Sequence, residues 1–148
     1  MGIDWGKVRI GIAACGRGTT LAYPVDTVQA GAKELHHIAA LVEEYDPAVI
    51  YVGMPLTLAG ERKQAADFTA AKATALATLV APRPVRLVDE RMSTASASRS
   101  LGGAGHRAKQ QRRIIDQAAA VEILQRAIEW ETQTASLAGE AVAQGEAS

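Results

Sequence analysis

Two short apolar runs limit what this chain can become. Ala48-Val49-Ile50-Tyr51-Val52 contains almost no polar residue, and Val85-Arg86-Leu87-Val88 contains one. A strand with one wet face alternates polar with apolar, whereas a strand covered on both faces does not. The first run therefore reads as a buried, parallel strand. Helical patterns precede both runs. In Gly31–Tyr45, Leu35, Ile38, Val42 and Tyr45 form one stripe; Glu61–Val80 is Ala-rich, with Phe68, Leu76 and Leu79 as anchors. Pro47 stops the first helix and Gly53-Met54-Pro55 ends the strand after it. Strand, helix and parallel strand make a crossover unit, expected to be right-handed.

The first part of the chain has a different rhythm. Gly2–Asp4, Arg9–Ala14 and Thr19–Tyr23 read as strands separated by turns at Gly6-Lys7 and Cys15–Gly18, with Pro24 stopping the third. That is an antiparallel meander. Ser93 or Thr94 could cap a short helix through Leu101. A Gly-rich loop and a last helix, Gln110–Trp130, follow. Residues 131–148, rich in Ala, Gly, Gln, Glu and Ser, read as a disordered tail. The expectation is one α/β domain over residues 1–130, a mixed sheet with helices on both faces. A chain of 148 residues is long enough to bury a core.

Three acids stand where stability does not ask for them. Asp4 interrupts the opening strand, Glu90 follows Val85–Val88, and Asp116 rides on the last helix beside Ala119, Ala120 and Ile123. A carboxylate near a core must find a cation, a donor or a proton. Three that converge repel one another, and a divalent cation held by hard oxygens relieves the repulsion. The pattern points to metal-dependent phosphoryl transfer. On the last helix, Ala119, Ala120, Ile123 and Ala127 form a stripe of small residues that shares its side with Asp116. Ile114, Ala118, Val121, Leu124 and Ile128 form another, on roughly the opposite side. The small stripe is expected to face the sheet and carry Asp116 to the strand ends; the alternative is an exposed Asp116 paired with Arg112.

The net charge is zero, but it is unevenly spread. Between Arg91 and Ile115 stand six Lys or Arg and His106, with no acid, whereas after Trp130 the only charges are Glu131, Glu140 and Glu146. A basic stripe between two of the three acids suits a phosphate backbone. No run is apolar enough to span a bilayer and no leader pattern opens the chain, so a cytoplasmic protein is expected, with no membrane partner. Residues before Met1 remain conceivable, since the chain opens almost directly on a strand. The lone Cys15 excludes an internal disulfide; it reads as a structural thiol, or as an intermolecular bridge if exposed at a dimer contact. His36 and His37, adjacent on a helix, read as surface residues. Met54, Phe68 and Trp130 read as packing, and with 4% aromatic residues base stacking is not expected to dominate binding.

Four stretches taken together resemble the RuvX/YqgF family of RNase H-like nucleases: Asp4 to Ala13, Val52-Gly53-Met54-Pro55-Leu56 with Gly60, Asp89-Glu90-Arg91-Met92-Ser93-Thr94, and Lys109 through Asp116 to Gln125. The resemblance implies an RNase H-like five-stranded sheet in the order 3-2-1-4-5. It implies metal-dependent cleavage of structured nucleic acid, its members being described provisionally as pre-16S rRNA nucleases or as Holliday-junction resolvases. It places Asp4, Glu90 and Asp116 in the acidic site, as catalytic residues and as ligands of Mg²⁺ or Mn²⁺. Arg9, Arg91, Thr94 and Lys109 match polar positions nearby. With Arg112 and Arg113 from the basic stripe, they are the expected substrate contacts. In that strand order the first and fifth strands lie roughly 9–10 Å apart. Gly53 adds no side chain between them, and a pair of ions about 4 Å apart could still join their acids.

Two other functions fit parts of the sequence. Asp4-Trp5-Gly6 at a strand end also resembles the phosphate loop of sugar kinases and actin-like ATPases, but those need two lobes. A catalytically silent nucleic-acid- or ribosome-associated protein would not need three acids. Nucleotide calorimetry separates the first from a nuclease, and a cleavage assay with and without divalent metal separates the second. A resolvase cutting paired strands needs two sites related by symmetry, hence a homodimer; trimming of an rRNA precursor needs only one.

Overall fold

Strand β1 (Gly2–Trp5) is only four residues long, yet all four are buried, because it lies inside the sheet with a strand on either side. The computed structural model describes residues 1–16, 18–55, 64–89 and 106–143, the side chains of 106–113 excepted. Strands β2 (Arg9–Cys15) and β3 (Ala22–Gln29) continue from β1 as an antiparallel meander. Helix α1 (Glu34–Tyr45) leads to β4 (Ile50–Met54), which pairs parallel with β1. Helix α2 (Gln64–Val80) leads to β5 (Val85–Asp89), parallel to β4. Helix α3 (His106–Thr134) and a two-residue strand β6 (Glu140–Ala141) follow.

The sheet order is β3-β2-β1-β4-β5-β6. This is the expected order with one strand added, so among the described residues the sheet has six strands rather than five. The tail expectation also needs correction. Helix α3 runs past Trp130 to Thr134, and β6 pairs antiparallel with β5. Arg86 supplies the physical reason. Its Nε donates to the Ala138 carbonyl at 2.6 Å and its Nη2 to the Gly139 carbonyl at 2.7 Å. These charge-assisted bonds pin a polar segment that hydrophobicity alone would leave loose.

Strand β3 also departs from expectation, since Pro24 lies inside it rather than at its end. Ile12 pairs with Asp26 but Ala13 with Pro24, so the register slips by one residue there. A proline that cannot donate is tolerated on an edge strand at such a bulge. The short helix expected over residues 93–101 lies outside the described residues.

Alternation sorts side chains into two cores. Ile3 and Trp5 of β1 join Ile10, Ile12, Val52 and Leu87 beneath Ile38 and Val42 of α1 and Leu76 and Val80 of α2. Leu79, expected as an anchor, is exposed instead. On the other face, Ala13, Tyr51 and Val88 meet Ala119, Ala120, Ile123, Leu124 and Ala127 of α3. The small stripe of α3 does face the sheet. Of the other stripe Ile114 is exposed, but Leu124 is buried with the small stripe, and Val121 and Ile128 pack half-buried against it, so the two stripes are not on opposite sides.

Small residues on both sides let α3 sit close. A Cβ on Gly2 would lie 2.7 Å from Leu124 Cβ and 2.8 Å from the Ala120 carbonyl oxygen. On Gly11 it would lie 2.0 Å from the Asp116 carbonyl oxygen, with backbone on the other side of the clash. Gly11→Ala should therefore lower unfolding free energy by about 1–3 kcal/mol or more, the cost of overpacking. Urea denaturation measures it, and an unchanged midpoint would contradict the close seating of α3.

Candidate active site

Asp4 and Gly11 are direct cross-strand partners. Directly opposed residues of an antiparallel pair point to the same face. Gly2, two residues before Asp4, points at α3, and so does Gly11. Asp4 therefore belongs to the face that α3 covers, and it is only 3% exposed. Asp116 sits on the helical turn pressed against Gly11 and is 8% exposed. Two acids separated by 112 positions in the chain are thus placed on one buried face, with a glycine between their backbones. Spacing on the last helix leaves this placement and an exposed Asp116 equally open; Asp116 is buried.

Asp116 is held at several points. Its carbonyl packs on Gly11. Its carboxylate oxygen Oδ2 accepts from Arg9 Nε at 2.7 Å. The next residue, Gln117, donates from Nε2 to Thr27 Oγ1 on β3 at 2.9 Å. Further along α3, Gln125 accepts from the Ala22 amide at 2.9 Å and donates to the Thr20 carbonyl at 2.8 Å. The helix is thus registered on the meander by polar contacts as well as by packing. Arg9, expected among the substrate contacts, is the partner of Asp116; the Arg112 pairing considered from spacing is not needed to explain how the acid is tolerated.

The other expected site residues divide by position. Glu90 follows the last residue of β5 and lies outside the described residues, as do Arg91 and Thr94. Lys109, Arg112 and Arg113 lie in the first turns of α3, in the same helix as Asp116. Among the described residues no group of three acids, histidines or cysteines gathers. Carboxylates are the donor type that magnesium and manganese select, and two of them share this buried face. That donor type fits a divalent cation.

A second polar network backs the site from the opposite face. Trp5, next to Asp4, donates its indole N–H to Glu34 Oε2 at 3.0 Å. Lys72 on α2 donates to Glu34 Oε1 at 2.6 Å. Glu34 is a buried acid in the first turn of α1, where an acid gives no sequence signal of a special role. Lys7 and Lys72 both lie over the Phe68 ring, 5.8 and 5.6 Å from its centroid. Tyr51 on β4 is buried with a hydroxyl that has no hydrogen-bond partner among the described residues. Burial, then the charge of Glu131, raises its pKa.

His36 and His37 are exposed, as expected for surface residues. Cys15 Sγ lies 3.3 Å from Thr19 Oγ1 and is half-buried. Trp130 is 42% exposed and does more than pack: with Met54, Val88, Asp89, Ile123 and Arg126 it lines a cavity of about 230 Å³. No helix among the described residues is long and apolar enough to cross a membrane.

Comparison with known proteins gives consistent results. The family model described as RuvX, Holliday junction resolvase, matches residues 1–130. A protein of Cutibacterium acnes, provisionally named a pre-16S rRNA nuclease, is 44% identical over 129 residues, covering 87% of this chain and 81% of its own. One of Mycolicibacterium paratuberculosis with the same provisional name is 50% identical over 127 residues, covering 84% and 76%. Among solved structures, Thermus thermophilus RuvC in complex with a Holliday junction substrate superimposes with a TM-score of 0.55 at 17% identity, covering 92% of this chain and 96% of its own. That likeness extends to the fold.

Glu34→Ala should cost about 1–3 kcal/mol of stability, because it strands the buried Trp5 N–H. Urea melts followed by tryptophan emission will read both the loss and the altered surroundings of Trp5. An unchanged midpoint would show that the network behind Asp4 adds nothing.

Proposed function

The chain belongs to the RuvX family and is a nuclease, and from that premise we propose a metal-dependent endonuclease hydrolysing phosphodiester bonds in structured nucleic acid. The substrate we favour is the 5′ end of precursor 16S rRNA, in the cytoplasm. Support comes from relatives at 44% and 50% identity that carry that provisional name. One observation carries the site assignment: Asp116 is stacked on Gly11, the cross-strand partner of Asp4, so two buried carboxylates share one face.

In this reading Asp4, Glu90 and Asp116 are the catalytic acids and would hold Mg²⁺ or Mn²⁺. A divalent ion held there would supply activation of water and charge stabilisation of the leaving 3′ oxygen. The protein's own part is placement. Asp4 comes from the middle of a sheet, where the backbone has little freedom. Asp116 comes from a helix fastened to the adjoining hairpin. Asp4 and Asp116 share one buried face, and with Glu90 they would supply the hard oxygen donors that a divalent cation selects. Arg91, Lys109, Arg112 and Arg113 would hold the flanking phosphates by charge, and Thr94 would contact substrate through its neutral hydroxyl, without reading sequence.

The family description favours a second substrate, the four-way DNA junction. Paired cuts across a junction require two sites related by symmetry. That version therefore needs a homodimer, and the rRNA version does not. Solution mass measured beside activity on both substrates distinguishes them.

Asp4→Asn keeps the shape and removes the charge. It should reduce Mn²⁺-dependent cleavage at least about 100-fold, beyond the usual 10–100-fold cost of losing an outer partner of a metal site. The assay is run on a precursor rRNA fragment and on a branched DNA, with chelator controls. Cleavage by the variant at the wild-type rate on either substrate would sink the assignment.

A further inference from the structure

Arg9 begins β2, two residues before Gly11, and so belongs to the face that carries Asp4 and Asp116. Its Nε donates to Asp116 Oδ2 at 2.7 Å, with side chains 22% and 12% exposed. We infer that Arg9 is a positioning residue for Asp116 rather than a contact for substrate phosphate.

Three points carry this. A charge-assisted bond of that length between largely covered groups satisfies a carboxylate that would otherwise be buried against Asp4. The backbone of Asp116 is already fixed by Gly11 and by the Gln117–Thr27 bond. What remains free is the side-chain rotation of the carboxylate, and the guanidinium removes it. Oδ2 accepts from Arg9, which leaves Oδ1 the less occupied oxygen for a further partner of Asp116. Finally, a cation already paired with a carboxylate does little to neutralise a phosphate. The basic charge that tracks nucleic acid is then supplied by the stripe from Arg91 to Arg113, and Arg9 belongs to the acidic centre.

The consequence for catalysis rests on the nuclease reading, but the decisive measurement does not. Binding of a four-way DNA junction is measured in chelator over a range of salt, for the wild type, Arg9→Gln, and the double variant Arg9→Gln with Asp116→Asn. The double variant removes both charges and covers the case in which Arg9→Gln alone fails to fold. The slope of log K against log salt should match the wild type in both variants. A slope shallower by about 0.9, the value of one lost phosphate contact on duplex DNA, would overturn the inference.

Turnover gives a second readout. Arg9→Lys keeps the charge but loses the Nε geometry, and should lower kcat about 10–100-fold, as for loss of a group that orients a ligand, with KM unchanged. A raised KM with kcat intact would return Arg9 to the substrate contacts. If the nuclease reading itself fails, the wild type cleaves neither substrate, while the salt slopes still decide what Arg9 does.

Discussion

A helix backbone can lie against a sheet only where the sheet offers no side chain to hold it off. Gly2 and Gly11 provide that gap, and α3 fills it with Leu124, Ala120 and the peptide of Asp116. The site depends on this contact. It sets how far Asp116 stands from Asp4, and it brings Arg9 within reach of the helix. Closeness of this kind leaves little room for adjustment, because both partners are backbone. The polar bonds from Gln117 and Gln125 then set the position of the helix along the sheet. Packing fixes the distance and hydrogen bonds fix the register.

The architecture was legible from the sequence wherever burial wrote it into composition. The unbroken run ending at Val52 marked a strand covered on both faces, and Ala119, Ala120, Ile123 and Ala127 marked the side of α3 that meets the sheet. Signals failed where tertiary context overrode them. Pro24 reads as a terminator, yet it sits inside β3 because an edge strand with a register slip spares it a ladder bond. Leu79 reads as an anchor, but Ala73, Leu76, Ala77 and Val80 occupy the covered side of α2. The tail reads as loose because its stabilising partner, Arg86, lies some fifty residues earlier.

The site was partly legible. Asp4 and Asp116 stood out as acids in apolar settings, and the structure sets both on one face. Arg9 stood out as well, but its partner could not be foreseen: Asp116 is 107 positions away. Glu34 left no mark, since an acid in the first turn of a helix is ordinary on dipole grounds. Only its burial, with Trp5 on one oxygen and Lys72 on the other, shows what it holds. Long-range polar pairs have no periodicity, so sequence patterns do not reveal them.

Strand β6 lies at the rim of the sheet, where the outer ladder groups of β5 would otherwise face solvent. It also comes after every other strand in chain order. During synthesis the sheet can therefore assemble from β1 to β5 well before its last bonding row has a partner. For that interval the nascent domain carries an open template that another extended chain could join. Closure by Glu140–Ala141 is brief in length and late in chain order.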